Sequence, residues 1–158
     1  MKLPRRALCL LALLLPMLAQ EATAQDILNS DMQRETAALQ KKVDGFFLDL
    51  ADKAIGPDQA VRALVADGPL KERTEDLTKL IEQAANLQQR YGVYTGNEAV
   101  DTKAIGSGLL RLRYLYKAEK FPIVWQFTFY RTETTSGIQR DWSLIALRFD
   151  TELDAVLR

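Results

Sequence analysis

Leu110-Arg111-Leu112-Arg113-Tyr114-Leu115-Tyr116-Lys117-Ala118 and, beyond Pro122, Ile123-Val124-Trp125-Gln126-Phe127-Thr128-Phe129-Tyr130 decide the fold class. In the first run, Leu110, Leu112, Tyr114, Tyr116 and Ala118 alternate with Arg111, Arg113, Leu115, Lys117 and Glu119. In the second, Ile123, Trp125, Phe127 and Phe129 alternate with Val124, Gln126, Thr128 and Tyr130. A period of two sends successive side chains to opposite faces of a strand. The short connection between the runs makes them an antiparallel pair.

Working outward, residues 93–105 read as a further strand, interrupted by a turn at Gly96-Asn97. On the other side, Thr134-Thr135-Ser136-Gly137 is a loop, and Trp142 to Phe149 is a last strand with Ile145, Leu147 and Phe149 on one face. Asp150 caps a short terminal helix over 151–157. The second half is therefore an antiparallel meander of about four strands.

The first half is helical. Leu39, Val43, Phe46, Phe47, Leu50 and Ile55 fall close to one helical face, and Gly56-Pro57 stops that helix. Gly45 inside it costs about 1 kcal/mol relative to Ala, which calls for close packing or a bend. A second helix follows with Asp58 as its cap and Val61, Leu64 and Val65 inward. A third reads Leu70, Leu77, Leu80, Ile81, Ala84 and Leu87, with Thr74 an internal cap and Tyr91-Gly92 its end. Helices over about 26–90, then strands over about 93–150, make one α+β domain with helices packed on one face of a curved sheet. The expected core is Phe46, Phe47, Leu50, Leu77, Ile81, Tyr114, Tyr116, Trp125, Phe127, Phe129, Leu147 and Phe149.

The start of the chain reads as an address. Lys2, Arg5 and Arg6 precede an apolar run from Ala7 to Leu18, and Ala22-Thr23-Ala24 is the small-x-small pattern cut by a signal peptidase. The run is too short to span a bilayer, which takes about 20 apolar residues. Residues 1–24 are thus expected to be a signal peptide, with residues 25–158 exported, most simply to a bacterial periplasm, and not held in the membrane afterwards.

Composition narrows the chemistry. Of 158 residues, 47% are hydrophobic and 27% charged, the balance of a folded domain. There is no histidine, and the single cysteine, Cys9, lies in the leader. Ser-His and Cys-His catalysis, and zinc sites built from Cys and His, are excluded. Beyond the leader the balance is 18 basic to 20 acidic residues, which argues against a nucleic-acid partner. Asp49 and Asp52 read as solvated surface beside Lys53, Glu98 and Asp101 carry no distinguishing pattern, and Ser107 serves a turn. No catalytic residue, metal site or cofactor is assigned.

Two groups remain as candidate sites. Tyr114, Tyr116, Trp125 and Phe127 either line a pocket for a small apolar or ring-shaped ligand or fill the helix–sheet core. The opposite sheet face collects Arg111, Arg113, Lys117, Gln126, Thr128, Tyr130, Trp142, Leu144 and Arg148. It is either solvated or an interface, because Trp, Tyr and Arg are the residue types that anchor interfaces. The partner would be a second copy of the chain or another envelope protein. An exported binding or interaction domain fits best. The alternative is an isomerase- or hydratase-type enzyme working through carboxylates and tyrosines in the same cavity.

The run from Leu112 to Asp150 also carries a family resemblance. Tyr114-Leu115-Tyr116-Lys117, Glu119, Phe121-Pro122, Trp125-x-Phe127-x-Phe129-Tyr130, Trp142-x-Leu144 and Phe149-Asp150 resemble the final strands of small exported bacterial proteins with a cystatin-like, or nuclear-transport-factor-2-like, fold. The resemblance implies a sheet wrapped round a helix to form a cone. In that broad fold some members are enzymes such as ketosteroid isomerases, some bind small molecules, and some dimerise through the outer sheet face. The chain departs from the enzymatic branches in lacking their histidine, and the strand hairpin that larger relatives insert among the helices is not evident.

Overall fold

A computed structural model describes residues 15–131 and 141–151, with side chains from residue 30 onward. The loop expected at 134–137 and all but the first residue of the terminal helix expected at 151–157 lie outside the described residues. The described chain divides after Leu39 into two units. The first consists of the opening turns of α1 (Leu15–Ala51), which begins upstream of the expected cleavage after Ala24. Everything below concerns the second unit, from Gln40.

Here the end of α1 is followed by α2 (Gly56–Val65), a 3-10 turn at Pro69–Glu72, α3 (Thr74–Ala85) and α4 (Leu87–Tyr91). Four strands complete it: β1 (Tyr94–Ile105), β2 (Leu109–Ala118), β3 (Ile123–Tyr130) and β4 (Ser143–Asp150). They form one antiparallel sheet in the order β1-β2-β3-β4. The α+β class and the four-stranded meander are as the alternation required.

Local chemistry accounts for most boundaries. After α1, Asp52 accepts the Ala54 amide on its carboxylate, and Gly56 donates its amide to the Asp52 carbonyl with φ at +72°, the reversed backbone expected there. Pro57 then sits in the first turn of α2, where its missing N–H costs nothing. Asp58 is not the cap of α2. It lies inside the first turn, and its carboxylate takes the Arg62 guanidinium one turn on, at 3.0 Å.

The third helix is divided where the sequence predicts one. Pro69 starts a separate 3-10 turn, and Thr74 makes no side-chain capping bond at the head of α3. The Asn86 amide reaches back to the Glu82 carbonyl at 2.8 Å, and α3 ends there. Such a side chain offers the backbone an alternative to the helix ladder. Gly68 lies between α2 and the 3-10 turn for want of space: a Cβ there would stand 2.7 Å from the Leu144 carbonyl oxygen.

Gly45 has the opposite surroundings. A Cβ there would meet nothing within 4 Å, so close packing does not explain it. Gly45→Ala is therefore expected to stabilise the domain by about 1 kcal/mol, the helix-propensity difference. A rise in the urea midpoint at unchanged slope checks it; a fall would mean that the helix needs to bend at this point.

The core lies between α1 and the inner sheet face. Phe46 and Phe47 from α1 meet Tyr114, Tyr116, Trp125 and Phe127, with ring centroids 5.5–5.9 Å apart across that interface. Leu50, Leu77 and Phe129 are buried with them as expected. Ile81, Leu147 and Phe149 are only half-buried.

Two strands differ from their predicted form. β1 runs unbroken through Gly96-Asn97: the glycine marks one of two register shifts against β2, between Tyr94 and Gly96, and the second falls between Ala99 and Asp101. A bulge, not a turn, interrupts the alternation. In β4, Thr128 pairs with Ala146 while Phe129 pairs with Leu144, so Ile145 is an extra residue. That bulge reverses the phase of the strand's beginning and turns Leu144 into the core, 3% exposed. Leu144 therefore does not belong to the outer face.

Candidate functional site

The four aromatic side chains with two readings are core. Tyr114, Tyr116, Trp125 and Phe127 are all buried, and their rings pack on Phe46, Phe47 or each other. Phe46 and Phe47 of α1 pack against them from the helical side. Tyr116 does border a cleft of about 270 Å³ between the end of α1, the start of α2, α4 and β1.

Polar groups gather beside this cleft. Tyr94 packs on Tyr116 with ring centroids 4.8 Å apart at a 36° tilt, and its hydroxyl donates to the Asn97 side-chain oxygen. The Asn97 amide in turn donates to the Asp44 carboxylate at 2.6 Å, while the Tyr114 hydroxyl points to the Gln40 carbonyl. Burial, and then the Asp44 charge, raises the Tyr94 and Tyr114 phenols above their ordinary range. Burial, and then neighbouring Tyr94, pushes Tyr116 up to about 12. These phenols keep their protons at neutral pH, and those of Tyr94 and Tyr114 act as hydrogen-bond donors.

The outer sheet face holds a second constellation. Strand register places Asp101, Arg113, Gln126 and Arg148 directly opposite one another across all four strands. Lys103 and Arg111 form the neighbouring row. One Asp101 oxygen accepts the Arg113 guanidinium at 2.7 Å and the Arg111 guanidinium at 2.9 Å. Burial alone would raise this carboxyl, but the bonds from Arg113 and Arg111 outweigh it and hold the carboxyl below its usual range. Arg148 donates to the Gln126 side-chain oxygen at 3.1 Å. The Nε of Arg111 is buried and has no partner.

Together Lys103, Arg111, Arg113, Gln126 and Arg148 border a hollow of about 480 Å³, with Asp150 at its rim. Arg111, Arg113, Gln126 and Arg148, placed on this face by sequence, are brought together here. The others are not. Tyr130 is exposed at the far end of β3, and Trp142 precedes β4, half-buried, with the Arg131 guanidinium 4.6 Å from its ring centroid. Lys117 pairs instead with Glu98 at 2.7 Å.

Sequence reasoning passed over Asp101, Lys103 and Asp44. Asp101 and Lys103 lie on bulged β1, where the period of two is broken, and the place of Asp44 depends on a contact with β1 that no helical pattern reveals. Among the described residues no three His, Cys, Asp or Glu side chains gather as a metal site, and no helix is long and apolar enough to cross a membrane. No family model matches the sequence, and neither a curated protein nor a solved structure matches it.

Proposed function

We propose that the chain is an exported, non-enzymatic interaction domain that engages its partner through the outer face of the sheet. One observation carries this reading: Lys103, Arg111, Arg113 and Arg148, from three different strands, border a single hollow while the inner face is filled with aromatic side chains. Arginine is among the residue types that anchor interfaces. Lys2, Arg5, Arg6, the apolar run and Ala22-Thr23-Ala24 support export to a bacterial periplasm. A helix laid against the aromatic strands of a four-stranded meander supports placing the fold with the cystatin-like, or nuclear-transport-factor-2-like, proteins.

The alternative, an isomerase- or hydratase-type enzyme, draws on the Tyr94–Asn97–Asp44 chain beside the cleft. That cleft is small for a substrate pocket, since ligand sites run from about 300 to 1,000 Å³.

A photoreactive residue placed in living cells tests the proposal. At position 128, on the outer face, covalent protein adducts are expected; at position 79, on exposed α3, none. Adducts at 79 but not at 128 would remove the outer-face reading. In native mass spectra of the purified domain, a retained small molecule would move the assignment to the cleft.

A further inference from the structure

We infer that the outer-face hollow recognises an acidic peptide segment of a protein partner, by pairing its carboxylates with Lys103, Arg111 and Arg148; this rests on the outer face being the interaction surface. The charge arithmetic is local. Four cationic side chains border or enter the hollow, against the carboxylates of Asp101 and Asp150. Asp101 is shared between two guanidinium groups, so the patch keeps a surplus of two positive charges. The chain as a whole beyond its leader has a net negative balance. The surplus is local to this face and does not come from the overall charge of the chain.

The donors are distributed in a way that selects among anions. Lys103 stands on β1, Arg111 on β2 and Arg148 on β4, with neighbouring strands about 4.8 Å apart. Lys103 and Arg148 are three strand spacings, about 14 Å, apart at the backbone, a span that a chain with carboxylates at alternate positions covers without drawing the side chains together. Guanidinium forks match carboxylates in plane and in spacing.

Fluorescence anisotropy of residues 25–158 with a labelled peptide of alternating Glu and Ser tests this, with Gln for Glu as the neutral control. The Glu peptide is expected to bind and the Gln peptide not. Arg148→Glu and Lys103→Glu, both at exposed positions, should each weaken binding at least about tenfold. Lys79→Glu on α3 should leave it unchanged. Binding should fall as salt rises. Equal binding of both peptides overturns the inference, as does an Arg148→Glu protein that binds like the parent while folded by circular dichroism. Displacement of the peptide by inorganic phosphate, or preferential binding to phosphatidylglycerol vesicles, overturns it in favour of a phosphate group. Self-association lost in Arg148→Glu overturns it in favour of a second copy. If position 128 still gives protein adducts in cells when the Glu peptide fails, the outer-face reading survives and only the acidic partner is lost.

Discussion

Phe47→Ala is expected to remove about 3–5 kcal/mol of folding stability, the range for truncating a buried aromatic side chain. Phe47 is fully buried, with five aromatic rings around it: Phe46 at 5.4 Å, Tyr114 at 5.6 Å, Trp125 and Phe127 at 5.7 Å and Tyr116 at 5.8 Å. Each such pair adds about 0.5–1.5 kcal/mol beyond the area it hides. Rigid strands on one side and a helix on the other give the hole little chance to collapse. A domain of this size has only about 5–15 kcal/mol in hand, so the variant should show a greatly lowered guanidinium midpoint. Phe47→Leu, which keeps much of the volume, should lose less. If Phe47→Ala loses under about 1 kcal/mol, the rings are not the element that holds α1 to the sheet.

Gly92→Ala is expected to cost about 2–5 kcal/mol, from backbone strain and crowding together. Gly92 ends α4 at φ +94° and ψ −178°, a conformation essentially reserved for glycine. A Cβ would also stand 2.9 Å from the Glu119 Cβ and 3.3 Å from the Lys120 amide nitrogen. Relief by moving apart would loosen three bonds that tie the end of α4 to the end of β2. Lys120 donates to the Tyr91 carbonyl at 2.9 Å, Glu119 to the Val93 carbonyl at 3.1 Å, and Val93 to the Glu119 carboxylate at 3.2 Å. Thermal unfolding checks it. A melting temperature equal to the parent's would mean that the junction relaxes freely. The contrast with Gly45→Ala is instructive: one substitution at two glycines takes opposite signs, decided by φ and by what surrounds the new methyl group.

How much of this was legible depends on where the period of two survives. In β2 and β3 the alternation is intact, so Tyr114, Tyr116, Trp125, Phe127 and Phe129 are expected inward from sequence and are buried. In β4 the bulged Ile145 shifts the phase, so Leu144 reads as an outer residue and lies in the core. No simple pattern marks such an insertion, because it arises from pairing with β3. The helix stops at Gly56-Pro57 and Gly92 were legible because the backbone itself demands glycine or proline; the break at Asn86 depends on a side chain choosing a carbonyl. For the site, Arg111, Arg113 and Arg148 were placed on one face, yet the row from Asp101 through Arg113 and Gln126 to Arg148 exists only once the register of four strands is known. Whether aromatic strands enclose a ligand or a helix was also beyond pattern. Phe46 and Phe47 are the side chains of α1 that meet these rings.

The bulges and the 3-10 turn bear on how copies of this molecule behave at high concentration. A meander has two outermost strands whose unpaired amides and carbonyls invite another strand to add on, the first step towards fibres. Here β4 is guarded by the Gly68 segment, whose backbone approaches the Leu144 carbonyl too closely to admit even a methyl group. At the opposite margin, β1 carries two bulges in 12 residues together with Glu98, Asp101 and Lys103, which spoil a regular hydrogen-bonding row and place charge along it. Growth by strand addition is thereby blunted at both margins.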